Sequence, residues 1–296
     1  MSSFFCRFRL PVAWVRGTWW AAILSITAVL SACGSSNRRE PTEQQQRAYA
    51  MWQERCKKAG VFIHKTVENV DGIYLINVRT HPEHFNLGET PKDQFKLSDP
   101  YGKDSTDEEY IKNFVQGYYH QRPKVDASGK TVQLPPGHPP RIGYRFVEAV
   151  DYKDGKLTRY TGRIDQPWLR DKSYGEWVRD FVLDRTPIAQ RTARYGVKFE
   201  DISTREEREL WIAGSSLKVI DLETQEVLAE RVGYMFDWAQ GSRAGGRSPW
   251  LFAADTACPD FRGQMTQPRG QPGFVAQRGQ TLDFVELVLK SNRREH

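Results

Sequence analysis

The chain has 296 residues, of which 43 are Lys or Arg and 37 are Asp or Glu, giving a formal net charge of +6 at neutral pH. So small an excess does not indicate a nucleic-acid-binding protein, which requires a clustered basic face. The length is sufficient to bury a sizeable core as one large domain or two small ones.

The first 32 residues have the pattern of an export signal. Three arginines and no acidic residue occur in this stretch, and an apolar run from Trp19 to Leu30 leads to the small residues Ser31 and Ala32. A basic segment, a short apolar segment and small residues before a cleavage point are typical of secretory signals. The alternative is a retained transmembrane helix, but the strongly apolar run is shorter than the roughly 20 residues that span a bilayer.

The four residues Leu-Ser-Ala-Cys, ending at Cys33, resemble the lipobox of bacterial lipoproteins, and this resemblance covers the signal region alone. In that family the cysteine sulfur takes a diacylglyceryl group, the signal is cut just before the cysteine, and the new amine is often acylated. The resemblance implies that a signal peptide of residues 1–32 is removed and that residues 33–40 form a lipidated tether. Gly34 stands where Asp would retain a lipoprotein in the inner membrane, which implies the outer membrane, facing the periplasm. The alternative for Cys33 is an ordinary small residue beside a conventional cleavage site.

In the first half of the mature chain, the pattern predicts a helix, a hairpin and a second helix. Pro41 is suited to the first turn of a helix that Gly60 would end. The β-branched and aromatic residues of 61–67 and 73–78 predict two strands that Asp71-Gly72 would join as a hairpin. A second helix is expected from Thr106, where Glu109 completes a capping box. Residues 121–140 are predicted to form a loop. If the chain had two domains instead of one, the boundary would lie in this loop.

Beyond residue 140, two further hairpins are predicted, separated by a helix and a strand. The predicted elements are a hairpin of 144–152 with 156–164, a helix at 174–183, a strand at 194–202, a hairpin of 210–221 with 226–236, a long ordered loop over 240–280, and a helix at 282–290 capped by Thr281. Three hairpins separated by helices predict an α+β fold, in which an antiparallel sheet of hairpins is packed by a few helices and carries long loops. We expect a single envelope-exposed domain over residues 41–296.

No catalytic or cofactor motif stands out, and we predict no cofactor and no metal site. His81 and His84 lie three residues apart, but no Cys or third His is spaced to complete a zinc site. The acidic residues from Asp104 to Glu109 lack the alternating oxygen ligands and central Gly of a calcium loop. A capped helix start explains them, because acidic residues there suit the helix dipole.

The segment Gly241–Ser248 is rich in glycine and contains Arg243 and Arg247, a composition that suits an anion. It lacks the Gly-Lys-Ser/Thr of a P-loop, so we expect a mobile turn. Truncating both arginines would then change stability by no more than about 0.5 kcal/mol. Gly214-Ser215-Ser216 lacks the spacing of a nucleophile elbow. Five tryptophans have rings suited to stacking on sugars, but we expect most of them in the core: Trp168, Trp177, Trp211, Trp238 and Trp250.

The cysteine count predicts one disulfide. Cys6 leaves with the signal and, by the lipoprotein resemblance, Cys33 carries lipid, so Cys56 and Cys258 remain in the exported body. Paired cysteines in an oxidising compartment usually cross-link. The alternative is two buried thiols whose Cα atoms lie more than about 7 Å apart. Loss of the basic signal also lowers the net charge to +3, from 40 basic and 37 acidic residues.

Two classes of function remain open from the sequence. The first is a non-enzymatic lipoprotein, attached to the membrane through Cys33, that binds another envelope protein and no nucleic acid. The second is an envelope hydrolase that cleaves peptidoglycan or polysaccharide with a pair of carboxylates. An exposed surface with aromatic residues would favour the first, and a deep cleft with converging Asp, Glu and Trp would favour the second.

Overall fold

An eight-stranded β-sheet forms the centre of the protein. The computed structural model describes residues 40–79, 94–95, 97, 99–102, 105, 107–117, 124–125, 131–132, 143–176, 178, 180–262, 272–277 and 279–292. The described strands are β1 (Gly60–Ile63), β2 (Val67–Val70), β3 (Gly72–Leu75), β4 (Lys124–Val125), β5 (Thr131–Val132), β6 (Phe146–Val150), β7 (Leu157–Asp165), β8 (Asp180–Pro187), β9 (Tyr195–Asp201), β10 (Ile212–Asp221), β11 (Glu226–Phe236) and β12 (Leu289–Ser291). The described α-helices are α1 (Glu43–Cys56), α2 (Asp107–Gln116), α3 (Arg205–Glu209), α4 (Pro249–Ala253), α5 (Gly273–Ala276) and α6 (Gln280–Val288).

The strands of the main sheet follow the order β1-β11-β10-β9-β3-β6-β7-β8. Neighbouring strands are antiparallel except at β3, which runs parallel to both β6 and β9. Helices α2 and α6 contribute their apolar residues to the largest core cluster, which lies against one face of this sheet. The fold is therefore α+β, as predicted, but its sheet is mixed rather than purely antiparallel.

Two of the three predicted hairpins are confirmed. Strands β6 and β7 pair antiparallel, and Gly155 in their connection has a φ of 72°, a conformation that glycine adopts without strain. Strands β10 and β11 also pair antiparallel along their full length. The predicted strand at 194–202 is confirmed as β9.

The predicted hairpin of 61–67 with 73–78 is wrong. Strand β1 pairs with β11, so that Gly60 lies opposite Val232, while β3 enters the middle of the sheet. In β3, Ile73 and Leu75 are buried. Parallel strands are typically covered on both faces, which suits so apolar a segment. The local pattern thus predicted strands, but the choice of partner depended on residues far away in the chain.

The predicted helix at 174–183 is also wrong. Strand β8 occupies Asp180–Pro187 and pairs with β7 from Thr158 to Asp165. Phe181 and Leu183 both pack against the main core. Their two-residue spacing places both side chains on one face of a strand. Pairing with β7 therefore overrides the helical pattern of this segment.

The predicted first helix is confirmed as α1. Thr42 caps it, accepting a hydrogen bond from the Gln45 backbone N–H at 3.2 Å, and the Gln45 side chain accepts one from the Thr42 N–H at 2.8 Å. This reciprocal pair is a capping box. Pro41 precedes the cap, and the helix ends at Cys56 rather than at Gly60.

The predicted second helix is confirmed as α2, although Thr106 itself lies outside the described residues. The last helix, α6, begins at Gln280, so Thr281 lies inside the helix rather than at its cap. The segment predicted as a long loop over 240–280 contains α4, α5 and short 3-10 turns. From Thr42 onward, the described chain belongs to one compact unit.

Candidate functional site

The first edge of the main sheet is formed by β1 and is apolar and exposed. Val61, Phe62 and Ile63 are 44%, 44% and 40% exposed. Successive side chains of a strand point to opposite faces, so both faces of this edge present apolar surface to solvent. An apolar edge strand is a template for pairing with another chain, and proteins usually protect such edges.

The backbone of β1 presents hydrogen-bonding groups outward at Val61 and Ile63. The His64 N–H donates to the Leu228 carbonyl at 2.9 Å, and the register places Phe62 opposite Glu230. In an antiparallel ladder, alternate residues direct both backbone groups toward the neighbouring strand. The backbone N–H and C=O groups of Phe62 and His64 therefore face β11. The corresponding groups of Val61 and Ile63 face away from β11.

The opposite edge, β8, carries charged residues and a proline within the strand, whereas β1 itself contains only glycine and apolar residues. Asp184 accepts hydrogen bonds from the Arg163 Nε at 3.1 Å, and Arg185 pairs with Glu108 of α2. The strand ends in Pro187, which has no N–H to offer another strand. Charged side chains and proline are the usual means of blocking an edge. Among the described strands, β1 is therefore the more apolar of the two edges of the main sheet.

Basic residues flank β1 at both ends. Lys57 and Lys58 precede the strand, His64 and Lys65 follow it, and all four side chains are exposed. Between Arg55 and Val67 the sequence contains no Asp or Glu. Lysine side chains therefore lie at both ends of the apolar edge, and two of them, Lys57 and Lys65, lie beside Glu54 and Glu226.

An aromatic cluster lies on α1 and at the end of β11. The rings of Trp52 and Phe236 are 5.1 Å apart, and Tyr49 lies 5.7 Å from Trp238. Trp238 is 43% exposed, and its carbonyl accepts a hydrogen bond from the Gln45 side chain at 3.0 Å. Partly exposed aromatic residues are enriched at protein interfaces. The cluster is thus a second partly exposed apolar surface, formed by α1 and the residues at the end of β11.

The disulfide predicted from the cysteine count is present between Cys56 and Cys258, with a Cα–Cα distance of 5.6 Å. Cys258 also forms an isolated β-bridge with Tyr234, whose N–H donates to the Cys258 carbonyl at 2.8 Å. The bond therefore fixes the end of α1, just before β1, to a segment that is itself attached to β11. This attachment holds the start of the exposed edge in place.

Four charged residues form a row across β9, β10 and β11 on the face of the sheet opposite α2 and α6. Lys218 donates to Glu200 at 2.9 Å and lies 3.7 Å from Glu230, and Lys198 donates to Glu200 at 2.6 Å. Hydrogen bonds from these two lysines lower the pKa of Glu200 to about 2. Glu200 is thus held as a carboxylate and is unsuited to act as a general acid.

Asp99 is a carboxyl group whose pKa is shifted in the opposite direction. Burial raises the pKa of Asp99, and Arg79, whose Nη1 lies 2.6 Å from the carboxyl Oδ2, opposes this rise. Both side chains are only 1% exposed. A catalytic acid must reach its substrate, and this pair is enclosed by protein. Its contacts are those of a structural ion pair that fixes the segment around Asp99.

The Gly241–Ser248 loop is organised around the buried carboxylate of Asp237. Arg247 donates from Nη2 to Oδ1 at 2.6 Å and from Nη1 to Oδ2 at 3.2 Å, and the Gly241 N–H donates to Oδ2 at 2.9 Å. Asp237 is fully buried. The expectation of a mobile turn whose two arginines do not affect stability is therefore wrong for Arg247, which neutralises an internal charge.

The remaining residues singled out in the sequence have varied positions. Trp211 and Trp250 are buried with their rings 5.1 Å apart, as expected for core residues, whereas Trp168 is half-buried beside Lys172. Ser215 and Ser216 are buried in β10. Within the described ranges, no group of three or more His, Cys, Asp or Glu side chains is arranged to hold a metal ion. Several residues singled out in the sequence lie outside the described part of the chain: Cys33, His81, His84, Asp104, Thr106 and Trp177.

The exposed edge was missed by the sequence analysis, which had assigned 61–67 to a hairpin. The available signal was three consecutive apolar residues bounded by lysines. Such a run is ambiguous, because a buried strand has the same pattern. Only the pairing of β1 with β11 identified it as an edge.

No known protein family, curated protein or solved structure matches the chain. In the described residues there is no helix with both the length and the apolar character needed to cross a membrane. Inference about function therefore depends on the edge strand, its flanks and the cysteines.

Proposed function

We propose that this protein is a lipid-anchored protein of the bacterial cell envelope that functions by binding another protein along β1. The observation that carries the proposal is the exposed apolar edge formed by Val61, Phe62 and Ile63. Interfaces bury apolar and aromatic side chains at their centres and keep charges at their rims. The edge, with its basic flanks, has this distribution.

The anchor is proposed to be lipid on Cys33, at the outer membrane and facing the periplasm. Each buried CH₂ contributes about 0.8 kcal/mol, and stable attachment takes two acyl chains or more, the number that a lipoprotein cysteine carries. The Cys56–Cys258 disulfide supports an exported location, because such bonds persist in oxidising compartments.

The tether limits how far the domain extends from the membrane. The segment from Cys33 to Thr42 spans at most about 30 Å when fully extended. Helix α1 then runs for 14 residues, about 21 Å, before the chain reaches β1. With the anchor proposed at Cys33, the start of the domain at Thr42 is therefore held within about 30 Å of the membrane surface.

The alternative function, an envelope hydrolase, requires an accessible carboxyl group with a raised pKa. Asp99 has a raised pKa but is enclosed with Arg79, and Glu200 has a lowered pKa. Neither of these two carboxyl groups therefore supports hydrolysis, whereas the exposed apolar edge supports binding.

The test is site-specific photo-crosslinking in living cells. A photoreactive phenylalanine analogue in place of Phe62 should capture one protein in stoichiometric yield, and the same analogue at Trp238 tests the aromatic cluster. The matched control is Leu169, which is 59% exposed. It lies in a short turn after β7, a strand near the opposite end of the sheet from β1. Absence of a product at both test positions, or release of soluble fragments when the purified protein is incubated with peptidoglycan, would contradict the proposal.

A further inference from the structure

We propose that the partner binds β1 as an added β-strand, and that the strand it contributes is an extended apolar segment with acidic residues at both ends. This inference rests on the proposed function and specifies the occupant of the same edge. Strand addition is a common mode of peptide recognition, in which backbone hydrogen bonds supply affinity and alternate side chains supply specificity.

The backbone supports this mode because its free groups are in the required register. The outward N–H and C=O groups of Val61 and Ile63 are separated by one residue, as are the groups that pair two antiparallel strands. A four-residue strand is about 13 Å long and accommodates a short extended segment. The side chains of Val61 and Phe62 provide an apolar contact on each face of the added strand.

The lysines that flank β1 indicate which residues the occupant carries at its ends. Lys58 precedes the strand, and in the described part of the chain no acidic side chain lies within ion-pair distance of it. Lys57 contacts Glu54, and Lys65 lies 3.7 Å from Glu226, but exposed pairs of this kind contribute little and exchange readily. All three lysines are therefore available to a partner. An occupant with Asp or Glu beyond each end of its apolar segment would complement them.

A second copy of the same chain is a poorer occupant. Antiparallel pairing of two β1 strands would place Lys58 of one copy near Lys65 of the other, and parallel pairing would place each lysine near its own counterpart. Like charges directly opposite each other destabilise a sheet. The basic flanks thus select against self-association and for an acidic partner.

Calorimetry on the full chain in zwitterionic nanodiscs tests the inference, with empty nanodiscs as the blank. The probe is the synthetic peptide acetyl-DEVTVTVED-amide, and acetyl-KKVTVTVKK-amide is the matched charge control. The acidic peptide should bind, the basic peptide should bind at least about tenfold more weakly, and raising the ionic strength to about 0.5 M should reduce the difference.

Proline at position 61 isolates the backbone contribution. Val61→Pro removes an N–H that faces away from β11, so the fold should keep its melting temperature. The loss leaves a carbonyl of the peptide unpaired and should weaken binding about thirtyfold. Val61→Ala keeps the N–H and should weaken binding only about threefold. Equal affinities for the two variants would overturn strand addition.

Charge reversal tests the flanks. The double variant Lys58→Glu with Lys65→Glu should exchange the preferences, binding the basic peptide more tightly than the acidic one. An unchanged preference, or no binding of the acidic peptide to the unaltered chain, would overturn the inference. A dimer in sedimentation equilibrium that Val61→Pro dissociates would overturn the choice of occupant. Capture of a partner at Phe62 by photo-crosslinking, together with no binding of either peptide, would also overturn this inference but leave the proposed function standing.

Discussion

Truncating Arg247 should destabilise the protein far more than truncating Arg243, although both arginines lie in the same glycine-rich loop. The Arg247 guanidinium makes a bidentate contact with Asp237, with distances of 2.6 and 3.2 Å. Asp237 is fully buried, whereas the Arg247 side chain is 20% exposed. Arg247→Ala would therefore leave a buried carboxylate without its counter-charge.

The magnitude follows from the burial of the two partners. Removing one member of a fully buried pair costs about 3–5 kcal/mol. Asp237 would keep the backbone hydrogen bonds from Ala239 and Gly241, and water could enter where the arginine side chain had been. We therefore expect a loss of about 2–3 kcal/mol for Arg247→Ala.

Urea-induced unfolding followed by tryptophan fluorescence measures this difference. Arg243 serves as the matched control because its side chain is exposed, where solvent screens its interactions, and the expected change is within about 0.5 kcal/mol. If the two variants have the same midpoint and slope, the reasoning about a buried counter-charge is refuted. A changed slope for Arg247→Ala alone would indicate a change in the unfolded state rather than loss of the ion pair.

Three further predictions concern lipid, disulfide and pH. Cys33→Ala should leave an unlipidated precursor and move the body out of the detergent phase; intact mass showing a mature N-terminus elsewhere and no acyl chain would contradict the lipoprotein assignment. Replacing Cys56 and Cys258 by Ser should cost about 2–4 kcal/mol, with about 5 kcal/mol as the upper value for so long a loop; thiol alkylation of the denatured, unreduced protein should label neither cysteine. The pKa of Glu200 is lowered from 4.5 to about 2, so its contribution to stability is present above pH 4.5 and is lost as the pH falls toward 2; carboxyl NMR should show this titration, and Glu200→Gln should lose that part of the acid sensitivity.

The sequence was sufficient to predict an element where the contacts that stabilise it join residues close together in the chain. The β6-β7 hairpin was predicted because Asp154-Gly155 permits the turn and the flanking residues favour strands. Helix α1 was predicted from its spacing and begins at a capping box formed by residues three apart. The disulfide was predicted by counting, since the expected loss of Cys6 with the signal and the expected lipidation of Cys33 leave a single pair among the four cysteines.

The candidate binding edge could not be predicted, because it depends on pairing between distant segments. Val61–Ile63 reads as a strand in any context, and its position at the edge results from pairing with β11, more than 160 residues later. The same limit applies to β8, where Phe181 and Val182 fit a helix as well as a strand until β7 is known to lie beside them. Short apolar runs do not specify a partner.

The sequence by itself determined the α+β class, two of the three predicted hairpins and the pairing of Cys56 with Cys258, while the export signal stays a prediction. Each of these depends on composition or on residues close together in the chain. Tertiary structure alone decided that β3 enters the middle of the sheet, that β1 lies at its edge, and that Arg247 neutralises Asp237. These features depend on which segments, distant in the chain, bury their surfaces against one another. Local propensity depends only on neighbouring residues and therefore does not specify those partners.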